Sequence, residues 1–196
     1  MAVSKTVSVA RLRTAAQAGF ESLGENRVQE AEDKVAALPD VEWHLVGHLQ
    51  GNKAARARAI FDVIESVDSV ELAARLERAA PSGREEARLP VYLQVNVDAD
   101  PAKAGFAPSE LEGALEQMAE LTSLELRGLM TVGRLVDRPE DARPTFRRLA
   151  ELSRSLRAQA PQLGPGLSMG MSDDFEVAVE EGATVVRVGR AIFGER

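Results

Sequence analysis

Short apolar runs rich in valine, leucine and isoleucine alternate along this chain with longer charged segments of helical period. The runs predict strands at 2–5, 22–24, 43–46, 63–67, 90–97, 126–132, 167–169 and 185–188. Helical spacing predicts helices at 9–19, 28–38, 69–80, 109–121, 139–160 and 173–182, with a short terminal helix after the last strand. Punctuation supports several of these bounds. Gly19 suits a C-cap, Pro39 stops the second helix, Ser69 suits an N-cap, and Pro81 follows that helix. The segments at 109–121 and 139–160 each open near a proline. Asp173 and Glu176 have capping-box spacing, and Gly182 ends that segment.

Eight strands alternating with helices predict parallel β/α units of about 24 residues, near the ~200-residue lower bound of a (β/α)8 barrel. An open doubly wound sheet competes, but no G-x-G-x-x-G follows the first strand. The stretches APSGREEARLP (80–90) and APQLGPG (160–166) are too short for interdomain linkers and read as loops. The expectation is one α/β domain over 1–196, a single-domain (β/α)8 TIM-like barrel. The chain starts directly on a strand, so the usual leading helix is expected to be lacking and the barrel's bottom less covered.

Composition narrows the function. Twenty-four Lys and Arg against 31 Asp and Glu give a net charge of −7 and a pI near 5.0. That balance opposes nucleic-acid binding, which needs a clustered basic footprint. The absence of cysteine excludes disulfides, thiolate metal sites and cysteine nucleophiles, and it fits the cytoplasm. No apolar run approaches the ~18 residues of a membrane helix, and the first residues lack signal-peptide character. A soluble cytoplasmic monomer without nucleic-acid or membrane partners is expected.

In such a barrel the functional face lies at the C-terminal ends of the strands. Lys5, in AVSKT, closes the first strand and falls on that face. A solvated loop lysine is the ordinary reading; an amine held in a desolvated mouth, and therefore nucleophilic, is the sharper one. The segments GLSMGMSDDFEVAVEEG (166–182) and VVRVGRAIFG (185–194) supply turns after the seventh and eighth strands, where such barrels commonly seat phosphate. The N–H groups of Gly189 and Arg190 and the hydroxyls of Ser168 and Ser172 are the candidate donors. Asp173 and Asp174 would repel an anion and are expected to cap the seventh helix, leaving the eighth turn as the main seat.

Arg187, among valines, needs a buried acceptor, and by alternation it shares a face with Gly189. A structural ion pair and a ligand contact explain it equally well. Other strand ends carry Glu25, Asn26, His48, Gln50, Asn52, Lys53, Gln94 and Asn96. His44 and His48 lack a third ligand and do not read as a metal pair. His44 reads as an interior residue or a pocket wall, and Met130 and Met169 as core. An amine, a guanidinium and a phosphate cradle at one mouth match what pyridoxal phosphate offers: an aldehyde, a ring nitrogen and a phosphate.

AVSKT, GENRVQEA, EWHLVGHLQGNK, LRGLMTVG and LSMGMSDDFEVAVEEGATVVRVGRAIFG occur in that order through nearly the whole chain. Together they resemble the pyridoxal phosphate homeostasis proteins, a single-domain form of the alanine-racemase-like barrel. The resemblance implies that Lys5 forms a Schiff base with pyridoxal 5'-phosphate and that Arg187 faces the pyridine nitrogen. It also implies that Ser168, Ser172, Gly189 and the neighbouring Arg190 serve the phosphate, with Asn26 and His44 near the cofactor. Arg190 stands where a small hydroxyl residue is more usual. The implied function is cofactor holding in intracellular vitamin B6 homeostasis without catalysis, with apo pyridoxal phosphate enzymes as partners.

A racemase of the same fold is the alternative. It needs a second acid/base, a tyrosine from an additional domain of the partner subunit, and the single tyrosine here, Tyr92, falls early in the fifth strand. A phosphosugar enzyme using carboxylates is less well served, since only Glu25 and Asp98 sit at plausible strand ends.

Overall fold

The structure, a computed structural model, describes residues 1–81 and 88–194. Most of the loop expected at 80–90 therefore lies outside the described residues. Eight strands run in chain order: β1 Ala2–Val3, β2 Ser22–Glu25, β3 Glu42–Leu45, β4 Val63–Val67, β5 Leu89–Gln94, β6 Leu124–Met130, β7 Gly166–Met171 and β8 Val185–Arg187. Each pairs in parallel with the next. The sheet closes on itself because the Val3 N–H donates to the Val188 carbonyl at 2.8 Å and the Val188 N–H to the Met1 carbonyl at 3.1 Å. This is the expected (β/α)8 barrel.

The helices are α1 Val9–Gln17, α2 Val28–Ala37, α3 Ala54–Ile60, α4 Val70–Arg78, α5 Leu111–Met118, α6 Arg143–Gln159, α7 Phe175–Glu180 and α8 Arg190–Phe193. Helix α4 shows how local chemistry sets its ends. Ser69 Oγ accepts the Leu72 N–H at 3.2 Å, an N-cap contact that contributes about 1 kcal/mol. Glu71 stands in its first turn and Arg78 in its last, matching the helix dipole. Leu72, Ala73 and Leu76 form the buried face.

Three local expectations are corrected. The first strand ends at Val3, so Lys5 sits in the following turn, where Thr6 adopts a left-handed backbone with φ 64°. Helix α7 starts at Phe175, with Asp174 rather than Asp173 at its cap position. The Asp174 carboxylate turns back to accept the Met171 N–H at 2.6 Å instead of capping the helix. Between β3 and β4, a 3-10 turn at Gly51–Lys53 leads into α3, a helix the pattern did not delimit.

Apolar residues fill two regions of different size. The larger lies between barrel and helices and includes Leu23, Trp43, Leu45, Ile64, Leu93 and Leu129. Inside the barrel, Val63, Tyr92 and Met130 form a small cluster. Beside it the interior is polar: Glu65 and Ser168 are fully buried, and His44 and Arg187 nearly so. This polar layer is the floor on which the mouth of the barrel rests.

Candidate functional site

A cavity of about 580 Å³ opens at the C-terminal ends of the strands. Six of the eight residues expected at the site line it: Lys5, Asn26, Ser172, Arg187, Gly189 and Arg190. His44 and Ser168 do not; both lie beneath it in the polar interior. The apolar walls come from Val3, Val46, Val132, Leu135 and Met171, none of them singled out from the sequence. For Val3, Val46, Val132 and Met171 a position at or just past a strand end was the available signal; Leu135, in the loop after β6, carried none.

Lys5 is exposed in the turn after β1, so the desolvated mouth expected around its amine is not supplied by the protein alone. Arg187, the last residue of β8, is buried and held on two sides. Its Nη1 donates to Ser168 Oγ at 2.6 Å and its Nη2 to the Thr131 carbonyl at 2.7 Å. Burial pushes the guanidinium pKa down, and the charges of Glu65 and Asp174 push back.

The chain of contacts continues inward. Ser168 Oγ donates its proton to Glu65 Oε2 at 2.5 Å, which leaves its lone pairs for Arg187. Glu65 Oε1 lies 2.6 Å from His44 Nδ1, and His44 Nε2 lies 2.6 Å from Glu42 Oε1. A carboxylate at each ring nitrogen favours the doubly protonated imidazolium, which donates from both nitrogens. Burial alone would lower the His44 pKa, but the hydrogen bonds and charges of Glu65 and Glu42 outweigh it and raise the pKa. Burial alone would likewise raise Glu65; the His44 hydrogen bond and the Arg187 charge bring it below the ordinary carboxylate value. His44 and Ser168 are therefore tied into the support of Arg187.

At the other side of the cavity the β7 and β8 turns meet. The Gly189 N–H donates to Ser172 Oγ at 3.3 Å, which sets a backbone donor and a hydroxyl together. The Arg190 guanidinium pairs with Asp173, the carboxylate on the cavity wall. Asp174 is buried below this turn, and desolvation raises its pKa despite the Met171 N–H and the nearby Arg187.

The family model described as the alanine racemase N-terminal domain matches residues 1–196. A pyridoxal phosphate homeostasis protein of Aquifex aeolicus is 41% identical over 198 residues, spanning all of this chain and 86% of that protein. The chain belongs to the pyridoxal phosphate homeostasis protein family, within the alanine racemase N-terminal domain family. Its Bos taurus relative of the same name is 37% identical, with 100% of this chain and 76% of that protein covered. The structure of PipY from Synechococcus elongatus, described with PLP bound, superposes with a TM-score of 0.90 at 43% identity. That likeness covers 99% of this chain and 91% of PipY. An alanine racemase of Clostridium difficile shares the barrel, with a TM-score of 0.78 at 14% identity, covering 96% of this chain and 48% of the racemase.

Proposed function

We propose that this chain holds pyridoxal 5'-phosphate in the mouth cavity and serves intracellular homeostasis of that cofactor without turning over amino acids. The donor set supports this reading. One cavity collects a primary amine (Lys5), a buried guanidinium (Arg187), and the hydroxyl and N–H pair of Ser172 and Gly189. Its volume falls within the ~300–1,000 Å³ common for small-ligand pockets. Lys5 would hold the aldehyde end, Arg187 would face the ring nitrogen, the Ser172–Gly189 turn with Arg190 would hold the phosphate, and Asn26 would lie near the cofactor.

When bound, the cofactor supplies an aldehyde to an amine and a ring that can draw electrons from a reacting carbon. This chain's residues suit holding better than turnover. A guanidinium is a permanent cation and donates only, so it disfavours a protonated ring nitrogen. Tyr92 is buried among Val63 and Met130, with its hydroxyl beside Gly166 at the opposite, N-terminal end of β7. The Asp173 carboxylate on the cavity wall is engaged by Arg190. Among the described residues, Lys5 is thus the one cavity group with a free role as acid or base.

Cytoplasmic residence, a monomeric state and delivery to apo enzymes complete the proposal, consistent with a chain without cysteine. Among the described residues, no helix is long and apolar enough to cross a membrane.

The test is the absorbance spectrum of the purified protein before and after borohydride, with the labelled peptide mapped by mass. The expected result is a yellow protein bleached by borohydride, with the label on Lys5. Lys5→Ala should take no label yet still bind the cofactor noncovalently, because Arg187 and the β8 turn remain. A label at Lys53 or Lys103, or amino-acid turnover that disappears in Lys5→Ala, would overturn the reading.

A further inference from the structure

We propose that Glu25, Lys34 and Glu30 are positioning residues that clamp the turn bearing Lys5 and so aim its amine at the cavity. The proposal rests on the reading of Lys5 as the cofactor's amine. Lys5 is the exposed middle of a three-residue turn whose two flanks are gripped from behind. On one flank, Ser4 Oγ donates to Glu25 Oε1 at 2.6 Å, and the Ser4 carbonyl accepts from Lys34 Nζ at 2.9 Å. On the other, the Thr6 N–H donates to Glu30 Oε1.

The three side chains also bind one another. Lys34 Nζ lies 2.6 Å from Glu25 Oε1 and 3.0 Å from Glu30 Oε1. With the Ser4 carbonyl, these use the three protons of the ammonium. Glu30 and Lys34 stand four residues apart on one face of α2, while Glu25 ends β2. The strand end and the helix together therefore form a socket for the β1 turn.

Four features argue that this cluster specifies geometry rather than stability. The Glu25 side chain is fully buried and that of Lys34 is 8% exposed. Such pairs are poor stabilisers because desolvation offsets their attraction. Glu25 Oε2, moreover, is buried with no hydrogen-bond partner among the described residues, a cost an apolar pair would not carry. Thr6 meanwhile holds φ 64°, a conformation L residues disfavour and that persists where surroundings over-determine it. The Glu30 contact to its N–H is such a constraint. With β1 only two residues long, the sheet itself does little to aim Lys5.

The experiment separates aiming from binding. Pyridoxine 5'-phosphate carries the ring and phosphate but an alcohol in place of the aldehyde, so its Kd reads the cavity without Lys5 chemistry. The rate at which borohydride fixes pyridoxal 5'-phosphate on Lys5 reads the aim. Glu30→Ala removes a side chain that is 30% exposed and should fold normally. Glu25→Gln with Lys34→Met removes the buried pair without leaving a lone charge.

Both variants should fix the cofactor at least about tenfold more slowly, since displacement of a reacting group by about 1 Å can cost 10²-fold. Their Kd for pyridoxine 5'-phosphate should stay at the wild-type value. An unchanged fixation rate in folded Glu30→Ala overturns the proposal. So does a Kd that worsens in step with the rate, because the cluster would then act on the whole site. If wild type neither binds pyridoxine 5'-phosphate nor labels at Lys5, the functional reading itself fails. Acetic anhydride labelling of the free protein still reads the clamp in that case: Glu30→Ala should shift the labelling ratio of Lys5 to Lys53, and an unshifted ratio overturns it.

Discussion

Ser168 carries the clearest lesson at the scale of single residues. In LSMGMS it has the look of a phosphate donor, yet its one proton goes to Glu65 and its lone pairs face Arg187. Ser168→Ala should therefore lower the unfolding free energy by about 2 kcal/mol, the scale of a hydrogen bond to a charged group. The Kd for pyridoxine 5'-phosphate should remain within about threefold of wild type, a change of under 1 kcal/mol. Urea unfolding and a titration decide it: a tenfold loss of affinity with unchanged stability would return Ser168 to the phosphate. His44 falls in the same class, an inward residue below the cavity and not on its wall. Alternation along a strand tells which side chains point inward but not how deep each one sits. Lys5, Asn26, Arg187 and Gly189, read from the strand ends, do line the cavity, whereas Ser168 lies below it and His44 takes the interior one of its two readings. Glu65 was missed altogether, although a carboxylate inside the apolar run VIESV was signal enough that something buried had to answer it.

At the scale of elements, alternating apolar runs and amphipathic segments were sufficient for strand order and barrel closure, because every β/α unit buries one face against its neighbours. Helix α3 escaped because it is seven residues long and buries only Ala54 and Ala57, too little apolar period to register. The end of β1 was misjudged for a different reason: the clamp on Ser4 and Thr6 is tertiary and leaves no local trace. The β7–α7 unit depends on a bare backbone. Gly170 has φ +93°, and a Cβ there would stand 2.5 Å from the Cβ of Ala178 in α7. Gly170→Ala should destabilise by about 2–4 kcal/mol, adding left-handed strain to overpacking. It should also weaken pyridoxine 5'-phosphate binding, because Ser172 follows in the same turn. Adding Ala178→Gly relieves the contact but not the strain, so the double variant should be more stable than the sum of the two single effects. Strict additivity in urea unfolding would mean that α7 does not rest on Gly170.

For the whole molecule, the barrel's two interiors respond differently to pH. The layer between strands and helices is mostly apolar, with the Glu25–Lys34 pair set in it, whereas the polar interior sets His44 against Glu42 and Glu65, with Arg187 on the far side of Glu65. The folded pKa of His44 is raised from its ordinary 6.5. Its contribution is therefore fully present below about pH 6.5 and fades as pH rises through the raised value. Glu65 has its folded pKa lowered from the ordinary 4.5. Its contribution is present above about 4.5 and is lost as pH falls through the lowered value. Unfolding stability should thus form a plateau between these two limits and decline on either side. The His44 limb should persist in high salt, because a buried pair is screened much less than a surface one. His44→Gln is the decisive variant. It keeps a side-chain amide against Glu65 but cannot take up a proton, so stability should be lower throughout while the alkaline decline disappears. Urea midpoints measured from pH 6 to 9, at low and high sodium chloride, read both slopes. An alkaline decline as steep in His44→Gln as in wild type would mean that the imidazolium is not what the barrel interior loses as pH rises.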